Sequence, residues 1–166
     1  MDVSQFSETY RVRRLTETDI PAIFALCRNN PLYYEYCPPF VTEDSIREDM
    51  AALPPRKTLA DKYYVGYFEG ETLVAVMDFI SGFPKPEVAF IGFFMAEKAK
   101  QGAGLGTKII TELFAFLRKS GFQSVRLGWV KGNPQSEHFW KKNGFLETGA
   151  QDNSNPYTII IAEKVL

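Results

Sequence analysis

Apolar residues along the chain follow two patterns: a helical spacing of three or four positions, and short continuous runs typical of buried strands. A short alternating run at residues 10–14 predicts a first strand. The helical spacing then appears at Ile20, Ile23, Phe24 and Cys27. It predicts a helix that Thr16 or Thr18 caps and that ends near residues 29–31.

Proline residues determine the prediction for the next two segments. Residues 31–40 read PLYYEYCPPF, and the prolines at both ends predict a loop rather than a helix or strand. A second short helix is predicted to begin after Thr42 and to end before Pro54 and Pro55.

Residues 62–95 carry the strand pattern. Two β-rich runs flank Glu69-Gly70-Glu71 and predict a hairpin, and EVAFIGFFM at 87–95 predicts a further strand that is apolar on both faces. A long helical stripe runs from Leu105 to Leu117 and ends near Gly121. A strand at 124–130, a short helix closed by Gly144 and a final strand within 155–166 complete the chain.

The predicted order is therefore strand, two helices, three strands, helix, strand, helix, strand. This order indicates a mixed α/β fold in one domain over residues 1–166, with the long helix as a right-handed crossover between two strands. We find no internal repeat and no linker long enough to divide the chain.

Composition excludes several classes of function. The formal net charge is −1, so neither nucleic acid nor an anionic membrane is expected as the main partner. No run reaches the roughly 18 apolar residues needed to span a bilayer. Two cysteines without a disulfide pattern, and a start without a secretion signal, favour a cytoplasmic protein. The single histidine, His138, excludes a His-rich metal site and is expected to be solvated or capping, so we expect no metal.

The stretch KQGAGLGT at residues 100–107 is the strongest chemical signal. Its glycines lie between a predicted strand and a predicted helix, where free N–H groups and the helix N-terminus favour an anion such as phosphate. A Walker motif requires Gly-Lys-Ser/Thr, whereas Thr107 here precedes Lys108. A dinucleotide motif requires Gly-x-Gly-x-x-Gly at the start of a βαβ unit, which this spacing does not supply.

QGAGLG resembles the Gln/Arg-x-x-Gly-x-Gly/Ala turn of the Gcn5-related N-acetyltransferases (GNAT), through Gln101, Gly104 and Gly106. A second family segment is similar to NPQSEHFWKKNGF, through Asn133, Ser136, Trp140, Lys142, Gly144 and Phe145. The opening YRVRRLTETDIPAIFAL also resembles the first strand and helix of that family. The resemblance covers essentially the whole chain. It implies a mostly antiparallel sheet of about six to seven strands flanked by about four helices.

The resemblance also implies a cofactor site. In this family the turn holds the pyrophosphate of coenzyme A, which assigns that role to Gln101, Gly102, Ala103, Gly104, Leu105, Gly106 and Thr107. Phe94 and Met95 would pair with the pantetheine arm, and Asn133 and Trp140 would contribute to the same site. A bulge would part their strand from the next, and a freed N–H near Phe94 would polarise the thioester carbonyl. Acetyl-CoA is thus the implied co-substrate.

The resemblance identifies the general base and the general acid less clearly than it identifies the cofactor residues. Glu87 is nearest to the position from which the family often takes a general base, although it is about one residue out of register and equally suits a solvated strand end. Asp78, within an apolar strand, is the second candidate, with an inert hydrogen-bonded carboxylate as its alternative. Trp140 stands where the family usually has a proton-donating tyrosine, and an indole N–H cannot supply a proton. Either the thiolate leaves unaided, or Tyr157 replaces the tyrosine, or the chain binds acyl-CoA without fast turnover.

The cluster Tyr33-Tyr34-Glu35-Tyr36 is the candidate acceptor site, because in this family the loop between the first two helices lines it. Aromatic rings with one acid suit an amine, although the rings equally suit a core-capping role. The predicted function is acetyl transfer from acetyl-CoA to a primary amine of a small molecule or peptide. A non-catalytic acyl-CoA-binding module and a nucleotide-phosphate protein are the alternatives. The apolar final strand is compatible with a homodimer.

Overall fold

Seven strands form one sheet in the computed structural model, which describes residues 1–166. The strands are β1 (Arg11–Arg14), β2 (Lys62–Glu69), β3 (Thr72–Ser81), β4 (Val88–Ala96), β5 (Ser124–Val130), β6 (Leu146–Asp152) and β7 (Ile159–Val165). Their order in the sheet is β1-β2-β3-β4-β5-β7-β6. Every neighbouring pair is antiparallel except β4 and β5, which are parallel, as a crossover connection requires.

Five helices accompany the sheet: α1 (Ile20–Arg28), α2 (Pro31–Tyr36), α3 (Glu43–Ala51), α4 (Leu105–Lys119) and α5 (Pro134–Lys142). The Thr42 side chain accepts a 3.0 Å hydrogen bond from the Ser45 N–H and caps α3, as predicted. A 3₁₀ turn at Glu17–Asp19 follows Thr16, so α1 itself begins at Ile20. No helix combines the length and the apolar character that crossing a bilayer demands.

The sheet lies between two apolar layers. On one face, α4 and α5 pack against a cluster of 25 buried residues that includes Tyr67, Phe79 and Leu113. On the other face, α1 and α3 pack against a smaller cluster that includes Tyr64, Val76 and Met95. Burial on both faces explains why β3 reads as a nearly continuous apolar run. The predicted mixed α/β fold is confirmed.

Two sequence-based predictions were wrong. Residues 31–36 form the short helix α2 rather than a loop, because Pro31 occupies the first helical turn, where its missing N–H removes no hydrogen bond. β6 was not predicted at all. Its residues LETGAQD are mostly polar or small and almost all exposed, so this edge strand lacks the apolar alternation that marks a strand in sequence. The sheet therefore has seven strands, whereas the predicted order contained six.

Candidate active site

β4 and β5 pair over only part of their length. Their parallel ladder runs from Val88–Ser124 to Ile91–Leu127 and goes no further. In the ladder between β3 and β4, Asp78 pairs with Phe93 whereas the next residue, Phe79, pairs with Ile91. Gly92 is therefore the extra residue of a β-bulge. Beyond this bulge β4 continues to Ala96 beside β3 alone, and its other edge is open where β5 has turned away.

The glycine-rich turn lies at the end of this open strand. Gly102 and Gly104 have φ angles of 79° and 87°, in the left-handed region that favours glycine. The backbone N–H groups of residues 102–107 donate to no backbone carbonyl, and the first helical bond runs from the Lys108 N–H to the Gly104 carbonyl at 2.9 Å. These N–H groups and the N-terminus of the 15-residue α4 make a site for an anion.

The glycines also leave room for a ligand. A Cβ added at Gly102 or Gly104 would meet no protein atom within 4 Å. At Gly106 the added atom would lie 3.0 Å from the Phe139 ring, so this position is glycine because α5 packs closely against α4. The turn therefore has the free donors and the open space that a diphosphate requires.

A cleft of about 340 Å³ joins the turn, the open end of β4 and helix α5. Among the residues predicted for a site, those that line it are Tyr33, Phe94, Met95, Gln101, Gly102, Gly104, Gly106, Thr107 and Trp140. Sequence reasoning did not assign a site role to other lining residues, namely Asn30, Ala96, Gln135, Ser136, His138, Phe139 and Lys142. Most of the latter lie along α5, and their helical spacing was the signal that could have identified this wall.

Three predicted cofactor residues lie outside the cleft lining. Ala103 is exposed on the turn, and Leu105 is buried in the core at 6% exposure. Asn133 is buried and caps α5: its Oδ1 accepts hydrogen bonds from the N–H groups of Gln135 (3.1 Å) and Ser136 (3.2 Å). Asn133 thus fixes the start of the helix that forms one wall, and a direct contact with the cofactor stays a prediction.

Gln101 links the walls of the cleft. Its Nε2 donates to Asn30 Oδ1 at 2.7 Å and to the Ala96 carbonyl at 3.0 Å. Its Oε1 accepts from Gln135 Nε2 at 2.9 Å. One side chain therefore connects the end of α1, the end of β4 and the start of α5.

Aromatic rings form the apolar part of the cleft. The Trp140 ring centroid lies 6.0 Å from that of Phe94, 4.8 Å from Phe139 and 5.3 Å from Phe145. Phe94 and Phe139 are stacked at 5.9 Å. Trp140 is only 7% exposed, so the indole serves as a packed wall between the cleft and the core.

Of the two predicted general bases, one lies at the bulge. Asp78 is directly opposite Phe93, and Lys62 Nζ lies 2.8 Å from its Oδ1. Burial raises the pKa of Asp78, and the neighbouring Lys62 ammonium opposes that rise. Glu87 instead precedes β4 at the far end, five residues before Gly92, or about 16 Å along an extended strand. The structure therefore does not bring Glu87 to the bulge.

The four predicted acceptor residues all lie on α2, and only Tyr33 lines the cleft. Tyr33 reaches the cleft and packs edge-on against Tyr34 (5.0 Å) and Phe93 (5.7 Å), whereas Glu35 is exposed. Tyr36 is partly buried and does not line the cleft.

Tyr157, on the loop between β6 and β7, accepts a 3.1 Å hydrogen bond from the Cys37 thiol. Burial and this contact raise the pKa of Tyr157 to about 12, so the phenol is protonated at neutral pH.

Comparison with known proteins agrees with this fold. A model of the acetyltransferase (GNAT) family matches residues 29–145, which is well over half of the chain. No curated protein sequence matches the chain.

Among solved structures, an acetyltransferase from Thermus thermophilus is 21% identical, with a TM-score of 0.77 and all of both chains covered. The PaiA N-acetyltransferase of Thermoplasma acidophilum, solved with coenzyme A, is 20% identical, with a TM-score of 0.70 over 95% of this chain and 99% of that one. A Salmonella typhimurium enzyme that modifies the N-terminal serine of ribosomal protein L7/L12 is 15% identical, with a TM-score of 0.76 over 97% of each chain. At these identities the likeness shows a shared fold. Since the family match spans most of the chain and the fold agrees along its length, this protein belongs to the acetyltransferase (GNAT) family of N-acetyltransferases.

Proposed function

We propose that this protein transfers the acetyl group of acetyl-CoA to a primary amine of a small molecule or peptide, by direct attack of the amine on the thioester. One observation carries the proposal: unpaired backbone N–H groups at residues 102–107 open into a cleft that runs to the free edge of β4. An anion site at one end and an open strand edge at the other suit a long cofactor with a diphosphate and an amide-containing arm.

The residues of the cleft divide the binding of coenzyme A between them. The N–H groups of residues 102–107 would hold the diphosphate, and the Lys142 ammonium at the cleft wall would add positive charge. Phe94 and Met95 would offer backbone groups to the pantetheine arm, with Phe139 and Trp140 as its apolar wall. When bound, acetyl-CoA supplies the activated thioester.

At the bulge the protein would stabilise negative charge on the thioester oxygen. A backbone N–H near Phe94, on the edge that lacks a strand partner, would donate to this oxygen as it becomes an oxyanion. Such a donor is preorganised because β3 holds the other edge of β4 through the ladder that includes Val76 and Met95.

Asp78 is the proposed general base. A free alkyl amine has a pKa of about 10 and is mostly protonated at neutral pH, so its proton must be removed before attack. Asp78 lies opposite Phe93, one strand away from the open edge, and would accept this proton through water. Glu87 is less suitable because about 16 Å of extended strand separates it from the bulge.

The thiolate of coenzyme A would leave without a tryptophan acid, since a thiol pKa of about 8.5 makes it a tolerable leaving group. Tyr157 is the other candidate proton donor, since a pKa of about 12 keeps its phenol protonated at neutral pH, but it does not line the cleft. Tyr33 and Tyr34 are the proposed acceptor contacts, with Glu35 and Tyr36 at the periphery. A cytoplasmic location and a homodimer belong to the same proposal, the first supported by two free thiols at Cys27 and Cys37.

The decisive experiment follows thiol release from acetyl-CoA with purified protein near pH 8. Pools of peptides with different N-terminal residues, polyamines and amino acids are compared with a blank that lacks amine, and acetyl-CoA binding is measured separately by calorimetry. Release that depends on one pool would establish the transferase and identify the acceptor class. Tight binding without release from any pool would instead support a non-catalytic acyl-CoA-binding module. Preference for ATP or NAD over coenzyme A would support a nucleotide-phosphate protein.

A further inference from the structure

Lys62 is a charged side chain in an unusual position. It begins β2 on the face covered by α1 and α3, and it is only 3% exposed. Its Nζ lies 2.8 Å from Asp78 Oδ1 and donates a 2.9 Å hydrogen bond to the Ala52 carbonyl. Burying an unpaired ammonium costs desolvation free energy. The contacts with Asp78 and with the Ala52 carbonyl offset this cost for Lys62.

The same contact orients the Asp78 carboxylate. Oδ1 is fully buried, while the side chain keeps 14% of its surface exposed, so Oδ2 is the oxygen nearer to solvent. Oδ2 lies against the bulge: a Cβ added at Gly92 would be 2.7 Å from it. The carboxylate is therefore held between a buried cation on one oxygen and the backbone of Gly92 on the other.

The charged surroundings of Asp78 come from two elements. Lys62 is the cation that faces it from β2. Tyr64, its ladder partner on β2, is buried with a raised pKa and is neutral at ordinary pH. Asp49 on α3 is close enough that the Asp78 charge contributes, after burial, to the rise in its pKa. Burial thus disfavours an ionised Asp78, and Lys62 favours it.

We propose that Lys62 is a positioning residue that keeps Asp78 ionised and directs its Oδ2 toward the bulge, where Asp78 receives the proton of the acceptor amine. This inference rests on the proposed function. In the step, the ammonium proton passes to the carboxylate through water, and the neutral amine nitrogen then bonds to the thioester carbon. The carbon–sulfur bond breaks and the thiolate leaves with the electron pair. The extra proton on the product nitrogen passes through water to the thiolate, which leaves a neutral amide and a free thiol, and Asp78 returns its own proton to solvent.

Four variants test the coupling: Lys62→Met, which removes the charge at similar length; Lys62→Arg, which keeps it; Asp78→Asn; and the double variant Lys62→Met with Asp78→Asn. Lys57→Met is the matched control, because Lys57 is also partly buried and paired, 3.7 Å from Asp61, but does not contact Asp78. The first measurement titrates the Asp78 side-chain carbon by ¹³C NMR in protein without ligand. The second is the pH profile of kcat/KM with the best acceptor from the amine pools.

In Lys62→Met, we expect the Asp78 resonance to titrate at least about one pH unit higher than in the wild type. The acidic limb of the pH profile should move by the same amount, so the rate on the acidic side of that limb falls about tenfold and recovers at alkaline pH. Lys62→Arg and Lys57→Met should keep the limb in place. Asp78→Asn should lose the rate at every pH, and adding Lys62→Met to it should cause no further loss. Acetyl-CoA affinity should stay within about twofold throughout, because the diphosphate turn is untouched.

An unmoved Asp78 titration, or an unmoved acidic limb, in Lys62→Met would overturn the proposal. So would a further loss of rate on adding Lys62→Met to Asp78→Asn, since this would mean that Lys62 acts through the fold rather than through Asp78. If Lys62→Met does not fold, the double variant, which leaves no unpaired charge, and Lys62→Arg carry the test. If the wild type acetylates no amine, the proposed function fails and the base role with it, while the NMR titration still decides whether Lys62 sets the ionisation of Asp78.

Discussion

Gln101 and Asn30 are joined by a 2.7 Å hydrogen bond that connects the glycine-rich turn to the end of the first helix. Asn30 is only 6% exposed, and its Nδ2 donates in turn to the Leu26 carbonyl at 3.1 Å. The two amides lie 71 residues apart in sequence and share the Ala96 carbonyl as an acceptor. The position of the turn relative to β4 therefore depends on a buried polar contact with α1.

Replacing Asn30 should weaken both folding and cofactor binding. Asn30→Ala deprives Gln101 of an acceptor in a buried setting, so the free energy of unfolding should fall by about 1 to 3 kcal/mol. Affinity for acetyl-CoA should also fall because the turn is released from α1. Urea denaturation and calorimetry measure the two effects.

Gln135→Ala is the control, because it removes the exposed hydrogen bond to the same Gln101 side chain. It should cost no more than about 0.5 to 1 kcal/mol. Equal stability of wild type and Asn30→Ala would show that the buried contact does not hold the turn.

Gly104→Ala should separate backbone strain from ligand binding. Gly104 and Gly149 have nearly the same φ, 87° and 83°, and at neither would a Cβ meet a protein atom within 4 Å. Alanine at either position should therefore cost a similar amount, about 1 to 2 kcal/mol, the penalty for a left-handed residue. Only Gly104→Ala adds a methyl group inside the cleft, so only it should weaken acetyl-CoA binding, by about tenfold or more. Similar affinities in the two variants would argue against the turn as the diphosphate site.

Trp140→Phe should preserve chemistry and lose stability. The indole is buried among Phe94, Phe139 and Phe145, and its N–H cannot release a proton at neutral pH. Removing one ring from this packing should lower the free energy of unfolding by about 1 to 3 kcal/mol. The kcat for acetyl transfer should remain within about threefold of the wild type. A fall of about 100-fold or more in a folded variant, roughly 3 kcal/mol in the barrier, would instead give Trp140 a direct part in the reaction.

Stability toward acid should depend on Glu112. Burial alone would raise its pKa, but hydrogen bonds from Ser7, Thr9 and Lys108 outweigh burial and lower the pKa to about 2, from an ordinary value of 4.5. A lowered pKa means that the ionised form stabilises the folded state. This contribution is complete above about pH 4.5 and is lost as the pH falls toward about 2.

Glu112→Gln should flatten that part of the acid dependence. Between pH 7 and pH 3 the wild type should lose about 1 to 2 kcal/mol more stability than Glu112→Gln, a figure reduced for solvent screening near the surface. Urea denaturation at the two pH values measures the difference. Parallel losses in both proteins would place the acid sensitivity elsewhere.

Most elements could be predicted from the sequence because their signals are local. The apolar spacing of α4 and the hairpin of β2 and β3 follow directly from periodicity and turn residues. The polar edge strand β6 lacks such a signal, since its stability comes from pairing with β7 rather than from burial. α2 was missed for a related reason: Pro31 interrupts a sequence pattern but fits a helix start.

In the candidate site too, some features follow from local sequence and others only from tertiary structure. By itself, the sequence determined the glycine-rich turn, because glycines between a strand and a helix fix backbone conformation within a few residues. Only the tertiary structure decided which carboxylate lies at the bulge. The register of β3 against β4 sets Asp78 opposite Phe93, and the length of β4 leaves Glu87 at its far end. Lys62 and Asp78 lie on the hairpin that the sequence predicts. Which of its residues meet depends on the register, including the shift between Tyr67 and Phe68, and their burial depends on the cover by α1 and α3.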